Sequence, residues 1–586
     1  MILQALYDYY QRKLAINQID PIGFLTKEID FILIVDSEGN YVDFENHQVQ
    51  AGKKLKGTRF RLPSIGKQAQ KHDNSGKDAN LLWDKSEFVF GVGKNGKNKL
   101  NSFVNTINGF YPSPPEDVEA ILRFYEKEMA KEYPFKTVLE NQEIGELVKT
   151  GRPNFTFKLN GNRTPVINEA HINEAITNKK PDKIKLGTCL ITGEINIPIE
   201  NTHMVTKGII GSQISGANII SFNKPSFLSY HKEQSENAPV SKTSAEAYTK
   251  ALQSLINSEH NKIRVTDITI LFWTEKKTKE INPEEIFAFL VAQRTDEDNP
   301  DKGVQVIESF IKSVFTGKLS SEKTNHFYVL GLSPNAARIS VRFWKAPSVI
   351  DFGLNIKKHF DDFEIVHGPR EHKYLSLYQI LSSTALAYKM ENVPPNLAGA
   401  VIESIIDGIP YPRTLMQQCV RRIRAEQNVN RTRAAILKAY LNRFNKIHNQ
   451  NEKEITMGLD TNNINVAYRT GRLFAALEKI QEESALPAKI NTTIRDRFYG
   501  AASSSPVTVF PRLLSLKNSH LKKLNEGRKI YFERLIGEIL ADVSSFPTNL
   551  TLNEQSNFAI GYYHQRQDFF TKKSEKETTE IESNNI

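Results

Sequence analysis

Ile29-Asp30-Phe31-Ile32-Leu33-Ile34-Val35, then Asp36-Ser37-Glu38-Gly39-Asn40, then Tyr41-Val42-Asp43-Phe44 is the stretch that decides the fold class. A dense run of β-formers, a turn cluster and a second alternating run predict a β-hairpin near the start of the chain. Upstream, Ile2, Leu3, Leu6, Tyr9, Tyr10 and Leu14 recur at helical spacing and predict an amphipathic first helix. Downstream, Thr58–Leu62 and Phe88–Val92 read as further strands. Between them, Pro63–Asn80 is polar, without a hydrophobic period, and reads as a long exposed loop on a β scaffold.

Farther out, Glu116–Glu132 and Ser244–Ile256 read as helices, and Gly187–Phe222 as short strands and turns. Ile263–Trp273 reads as a buried strand, and Phe327–Leu330 with Ile339–Trp344 as a β pair around Ser333-Pro334-Asn335. After about residue 370 strand signals fade. Arg413–Phe444 reads as one or two helices, and Val466–Gln481, Lys489–Tyr499, Val509–Leu524 and Lys529–Ser544 as a helical bundle. The expected class is α+β: a mixed, β-rich N-terminal region with helices, followed by an all-α C-terminal helical bundle. The expected divisions are 1–370, a basic helical segment and linker at 371–456, the bundle at 457–570, and a disordered tail at 571–586 rich in Lys, Glu, Thr, Ser and Asn. No internal repeat is present.

At 586 residues the chain exceeds what one core supports. No apolar run approaches the roughly 20 residues that span a bilayer. The amino terminus lacks the basic region and cleavage site of a secretory signal, and two cysteines cannot build a disulfide framework, so a cytoplasmic location is expected. The formal net charge is +10, and its distribution is uneven. Arg413–Gln450 holds seven arginines and two lysines against one acid, Glu426, and Thr58–Lys99 holds nine basic residues against four acids. Such patches suit phosphate binding.

Enzyme signatures are missing: there is no Walker loop, no dinucleotide fingerprint and no HExxH helix. Gly91-Val92-Gly93 before Lys94-Asn95-Gly96-Lys97 has the wrong spacing for a phosphate loop and reads as a basic turn with no helix after it. Cys189 and His203 could share a metal, but two ligands do not make a zinc site, so no metal and no cofactor is expected. The pairs Asp361-Asp362 and Glu482-Glu483 read as solvated charges.

Several motifs, in order, carry a resemblance. They are Met1-Ile2-Leu3-Gln4-Ala5-Leu6-Tyr7; Cys189-Leu190-Ile191-Thr192-Gly193-Glu194; Phe227-Leu228-Ser229-Tyr230 with Asn237-Ala238-Pro239-Val240-Ser241; and Leu330-Gly331-Leu332-Ser333-Pro334-Asn335-Ala336-Ala337-Arg338. Arg421-Arg422-Ile423-Arg424-Ala425, Arg495-Asp496-Arg497-Phe498-Tyr499-Gly500 and Gly561-Tyr562-Tyr563-His564-Gln565-Arg566 follow. The series resembles the large subunit of type I-C (Dvulg subtype) CRISPR interference complexes, known as Cascade. One departure is that the family's usual Ser-Tyr-Gly reads Ser229-Tyr230-His231 here.

The resemblance implies a non-catalytic protein at the 5′ end of a guide RNA. It would assemble with backbone and guide-processing subunits and a small subunit, and recruit a separate helicase–nuclease. Guide pairing reads the target double-stranded DNA, while the protein reads a short protospacer-adjacent motif (PAM) and stabilises the displaced single strand. The family also obtains its small subunit by internal translation, which points to Met457. That residue follows Glu452-Lys453-Glu454, encoded entirely by purines, at a spacing that suits a bacterial ribosome-binding site.

Two segments offer the mixture of cations and amides that PAM and DNA contacts need. Lys67, Gln68, Gln70, Lys71, Asn74, Lys77 and Asn80 form the first; Asn223, Ser229, Tyr230, Gln234 and Asn237 form the second. Alternatively, the first is a solvated loop and the second a loop stitched to the core by its amides. Arg421, Arg422, Arg424, Arg431 and Arg433, with Arg495, Arg497, Lys522 and Lys523 in the bundle, are the candidate phosphate and strand contacts. Competing readings of the whole chain are a stand-alone RNA-binding or RNA-chaperone protein, and a nuclease with an unrecognised site.

Overall fold

The computed structural model describes residues 1–52, 54–64, 78–178, 185–278, 282–291, 305, 307–310, 312, 324–369, 371–448, 452–488 and 490–570. The chain divides into two compact units, 1–257 with 334–340, and 258–333 with 341–586. These do not follow the boundaries read at residues 370 and 457. Both fall inside the second unit, because one continuous apolar cluster runs from Val265 to Tyr563. The tail at 571–586 lies outside the described residues. Among the described residues no helix is long and apolar enough to cross a membrane.

In the first unit, α1 (Ile2–Ala15) precedes β1 (Phe24–Ile29), β2 (Phe31–Val35) and β3 (Tyr41–Asn46). The predicted hairpin is β2–β3, and the β-former run is broken once, at Asp30. Its carboxylate accepts the Asn154 N–H (2.8 Å) and the Gln48 amide (3.1 Å), which turns the strand from one sheet into another. On one side β1 pairs antiparallel with β5 (Lys54–Pro63), which also pairs with β4 (Gln48–Ala51). On the other, β2 lies between β3 and the parallel β7 (Asn154–Leu159), with β6 (Trp83–Lys85) beyond. A strand covered on both faces reads as an unbroken apolar run. Phe31, Ile32, Leu33 and Val35 are all buried, at roughly 1.5–3 kcal/mol each.

Two sequence expectations fail next to this sheet. Phe88–Val92 is not a strand: Ser86–Val89 makes one helical turn, with the Ser86 hydroxyl on the Val148 carbonyl (2.9 Å) and Phe88 and Val89 buried. Burial overrides β-propensity there. The segment after Gly91-Val92-Gly93 is not a bare turn, because α2 (Gly96–Phe110) follows and buries Leu100, Phe103 and Ile107 at helical spacing. The predicted Glu116–Glu132 helix is α3 (Glu116–Met129). Beyond it lie the short pair β8 (Leu186–Gly187) and β9 (Ile197–Pro198), then α4 (Lys242–Asn257). The α4 residue Lys250 donates to the Pro21 (2.6 Å) and Phe24 (2.8 Å) carbonyls.

In the second unit, the expected strand Ile263–Trp273 is a hairpin, β10 (Lys262–Val265) and β11 (Ile268–Thr274), folded at Thr266, whose φ is +55°. The strands β12 (Phe327–Asn335) and β13 (Arg338–Lys345) complete a four-stranded sheet in the order β10-β11-β12-β13. Helices α5 (Pro283–Val291), α6 (Val349–Phe363) and α7 (Leu397–Asp407) share its core. The basic stretch is two helices, α8 (Arg413–Glu426) and α9 (Arg431–Ile447), broken at Gln427 with φ +46° and restarted by the Asn430 side chain on the Arg433 N–H.

The bundle is α10 (Val466–Ser484), α11 (Ile494–Ala502), α12 (Phe510–Leu521), α13 (Glu526–Leu540) and α14 (Leu552–Asp568). The last was absent from the helices read in the sequence. It crosses α10 where Gly471 and Gly561 let the two backbones touch. The mixed α+β class, β-rich then helical, is therefore as expected.

Candidate nucleic-acid interface

Of the first loop, Lys67, Gln68, Gln70, Lys71, Asn74 and Lys77 lie outside the described residues. Its flanks are described. The Trp83 indole N–H donates to the Pro63 carbonyl and the Asn80 N–H to Asp84, both at 2.8 Å. The sequence places Asn80 in an exposed contact set; the structure buries it, 2% exposed, as an anchor inside the core. Burial pushes the Asp84 carboxyl up to about 7, against the pull of the Asn80 and Lys85 N–H groups. The Lys27 ammonium lies 5.1 Å from the centre of the Trp83 ring.

The second loop is shaped from within. The Asn237 side chain accepts the Ser229 N–H (2.9 Å) and donates to the Lys232 (3.1 Å) and Gln234 (2.9 Å) carbonyls. Its hydrogen-bonding groups are engaged by the loop itself, so Asn237 acts as a brace. A capping box between Glu233 and Glu236, and an ion pair from Lys185 to Glu236 (2.6 Å), close the same turn. At the other end Asn223 accepts from Arg338, whose guanidinium lies 4.1 Å from the Phe227 ring centre. The brace holds Tyr230, His231 and Gln234 at φ +54°, +58° and +44°. Left-handed backbone is costly for residues with a Cβ, roughly 1–3 kcal/mol each where neighbours must enforce it. His231 therefore keeps a left-handed backbone of the kind glycine adopts freely. The product is Tyr230, 92% exposed at the tip of an internally bonded loop.

The basic helices divide by face. Arg431 and Arg433, read as phosphate contacts, are buried. Arg433 donates to the Ser383 and Asn428 carbonyls (3.0 Å each) and pairs with Glu426 (2.5 Å). Arg431 donates to the His372 (2.5 Å) and Lys373 (2.9 Å) carbonyls. Both are internal clamps; charge density along a sequence does not reveal facing. Arg422 is half-buried and 3.6 Å from Glu426. Arg421 and Arg424 are exposed, and with Arg413 and Gln417 they form one stripe along α8 at spacings of four, four and three. Arg413 and Gln417 were missed, although that spacing was legible.

In the bundle, Arg495 leans toward the fully buried Glu478 (3.8 Å) while 36% of its side chain stays exposed. Arg497, Lys522 and Lys523 are exposed. The acidic pairs are not merely solvated either. Asp362 holds buried Arg443 (2.5 Å), Glu482 holds Arg566 (2.9 Å) and Glu483 holds Arg528 (2.6 Å). Buried His203 meets the Tyr248 hydroxyl at 2.5 Å, and burial pushes its pKa down to about 4. Among the described residues no three His, Cys, Asp or Glu side chains are placed to hold a metal.

If the α8 stripe holds phosphates, replacing Arg413, Arg421 and Arg424 together by alanine flattens the log–log salt dependence of duplex binding by about 2.7, or about 2.1 on a single strand. Affinity falls alike for all sequences. A loss restricted to one PAM, with an unchanged slope, would show base reading instead.

Compared with known families, residues 6–570 match the model described as CRISPR-associated protein (Cas_Csd1). The comparison with curated proteins gave no match.

Proposed function

This chain belongs to the Cas_Csd1 family of CRISPR-associated proteins, and from that premise we propose that it is the non-catalytic large subunit of a type I-C RNA-guided surveillance complex. In this reading it acts in the cytoplasm beside the guide RNA, backbone and guide-processing subunits. It reads the PAM in double-stranded DNA, aids opening of the first base pairs, holds the displaced strand and recruits the helicase–nuclease. The observation that carries the proposal is the Tyr230 loop. Separating stacked pairs needs an aromatic or apolar wedge that does not yield when pushed. Tyr230 is exposed on a turn whose unfavourable backbone is fixed by Asn237 and the Glu233–Glu236 box. The exposed arginines of α8 supply the phosphate contacts that hold register.

The test uses the assembled complex and a PAM-bearing duplex with a fluorescent base analogue at the first target pairs. Tyr230→Ala is expected to leave guide RNA content unchanged and slow strand opening at least tenfold. Asn237→Ala, which frees the loop, is expected to do nearly as much without removing the ring. Opening at the wild-type rate in both variants would remove this loop from the mechanism. Lys71→Ala with Lys77→Ala forms the comparison arm: weaker duplex binding there places phosphate contacts on the first loop.

A further inference from the structure

The bundle carries a cleft of about 260 Å³ bounded by α10, α11 and α12. Arg497, Phe498, Arg512, Leu516, Lys517 and His520 are among its walls, and no carboxylate lines it. That sets it apart from the bundle's paired arginines. Arg469 sits on Asp542, Arg472 on Glu538, Arg495 on Glu478, Arg528 on Glu483 and Arg566 on Glu482. Arg497 and Arg512 have no carboxylate partner among the described residues, and both face this cleft. Lys517 makes one exposed bond, to the Asn518 side chain at 3.1 Å, which an anion can replace. The Arg512 guanidinium lies 5.7 Å from the centre of the Phe498 ring, so positive charge and an aromatic face are presented together.

An inorganic anion would use the cations but not the apolar wall of Phe498 and Leu516. A nucleotide uses both, and its base needs no edge-reading partner in order to stack. We infer that this cleft takes one nucleotide of a single strand, its phosphate on Arg497, Arg512 and Lys517 and its base against Phe498 and Leu516. Lys522 and Lys523, exposed at the C-terminal end of α12, continue the path for neighbouring phosphates. The inference rests on the reading of the bundle as a surface for the displaced strand, and assigns that surface one defined subsite.

The test is fluorescence anisotropy of the full chain with a labelled oligothymidylate across a salt series. Arg497→Gln with Arg512→Gln is expected to flatten the log–log slope by about 1.4, two single-strand phosphate contacts. Phe498→Leu keeps apolar volume but loses the stacking face, and is expected to weaken binding about 5- to 150-fold with the slope unchanged. Thymidine monophosphate as competitor separates a pocket for free nucleotide, which it would empty at low concentration, from a subsite that needs the strand. If binding survives the arginine pair but falls with Lys522→Ala and Lys523→Ala, the cleft is overturned and the strand surface stands. If the wild-type chain binds no single strand, both fall. Should Phe498→Leu lower thermal stability, the surface-exposed arginine pair decides.

Discussion

Gly561→Ala is expected to disrupt the C-terminal bundle. A Cβ at this position would stand 2.1 Å from the Tyr468 carbonyl oxygen, and one at Gly471 would stand 2.0 Å from that of Phe558. Both obstacles are backbone, so no side-chain rotation relieves them; α10 and α14 must move apart. Separation opens the contacts among Phe474, Tyr499, Phe558 and Tyr562, whose ring centroids lie 5.7–6.1 Å apart. It also strains the bond from the Tyr562 hydroxyl to buried Glu478 (2.5 Å). Overpacking a core costs about 1–3 kcal/mol and occasionally more, and a clash between two backbones belongs at or above the top of that range. The opposing gain from helix propensity is only about 1 kcal/mol.

Gly500→Ala isolates that gain. Gly500 lies within α11, and nothing is within 4 Å of where its Cβ would sit. That variant is expected to be neutral or slightly stabilising. Thermal unfolding followed by circular dichroism, with limited proteolysis of the C-terminal region, compares the two. Equal melting temperatures for Gly561→Ala and Gly500→Ala would refute the close crossing.

The same pair of helices shows where sequence reading stops. The hairpin Ile29–Phe44 was legible because apolar runs and a Gly-Asn turn carry their own signal. The break at Asp30 was not, since it depends on Asn154 and Gln48, which are distant in sequence. Helix α14 gives no sequence signal for a related reason: it is buried on nearly every side, including Gln555, Ser556, Asn557, His564 and Gln565. A helix covered all round has no amphipathic stripe to detect. Its polar groups find partners far away, such as the Tyr468 hydroxyl on His564 (2.9 Å) and the Arg472 guanidinium on Gln565 (3.1 Å).

The candidate site divides along the same line. Arg424 and Arg433 lie in one basic stretch, yet one is exposed and the other fully buried, because Arg433 finds Glu426 and two carbonyls inside. The exposed stripe on α8 needs only helical spacing, and was available in the sequence. The Tyr230 loop lay between these cases. Its amides were visible, but the sequence did not show that Asn237 spends them on the loop's own backbone.

A second product of the same gene, starting at Met457, is the other large expected effect. Met457 is the sole methionine after Met416, and the purine-encoded Glu452-Lys453-Glu454 precedes it. The structure adds two physical points. Met457 lies in non-helical chain between α9 and α10, so a start there cuts no helix. In the helices that follow, Phe474, Tyr499, Phe510, Phe558 and Tyr562 are buried against one another, within the apolar cluster that continues through the rest of the second unit. A free copy would give up the contacts α14 makes elsewhere in the second unit, including the bond from the Tyr563 hydroxyl to the Val366 carbonyl (2.7 Å). It would also lose the bond from the Val366 N–H to the Met457 carbonyl (2.9 Å). The short product is therefore expected to be less stable than the same helices in the full chain, and to gain stability in an assembly that covers the α14 face. Expression with a C-terminal tag should give a full-length band and a short one. Synonymous recoding cannot remove purines from Glu452–Glu454, so Met457→Leu is the control. The Met457 side chain is partly exposed, and leucine of similar size leaves the long product folded. The long band should persist in that variant while the short band disappears. A short band that survives Met457→Leu, or none in the wild type, would refute the internal start at Met457.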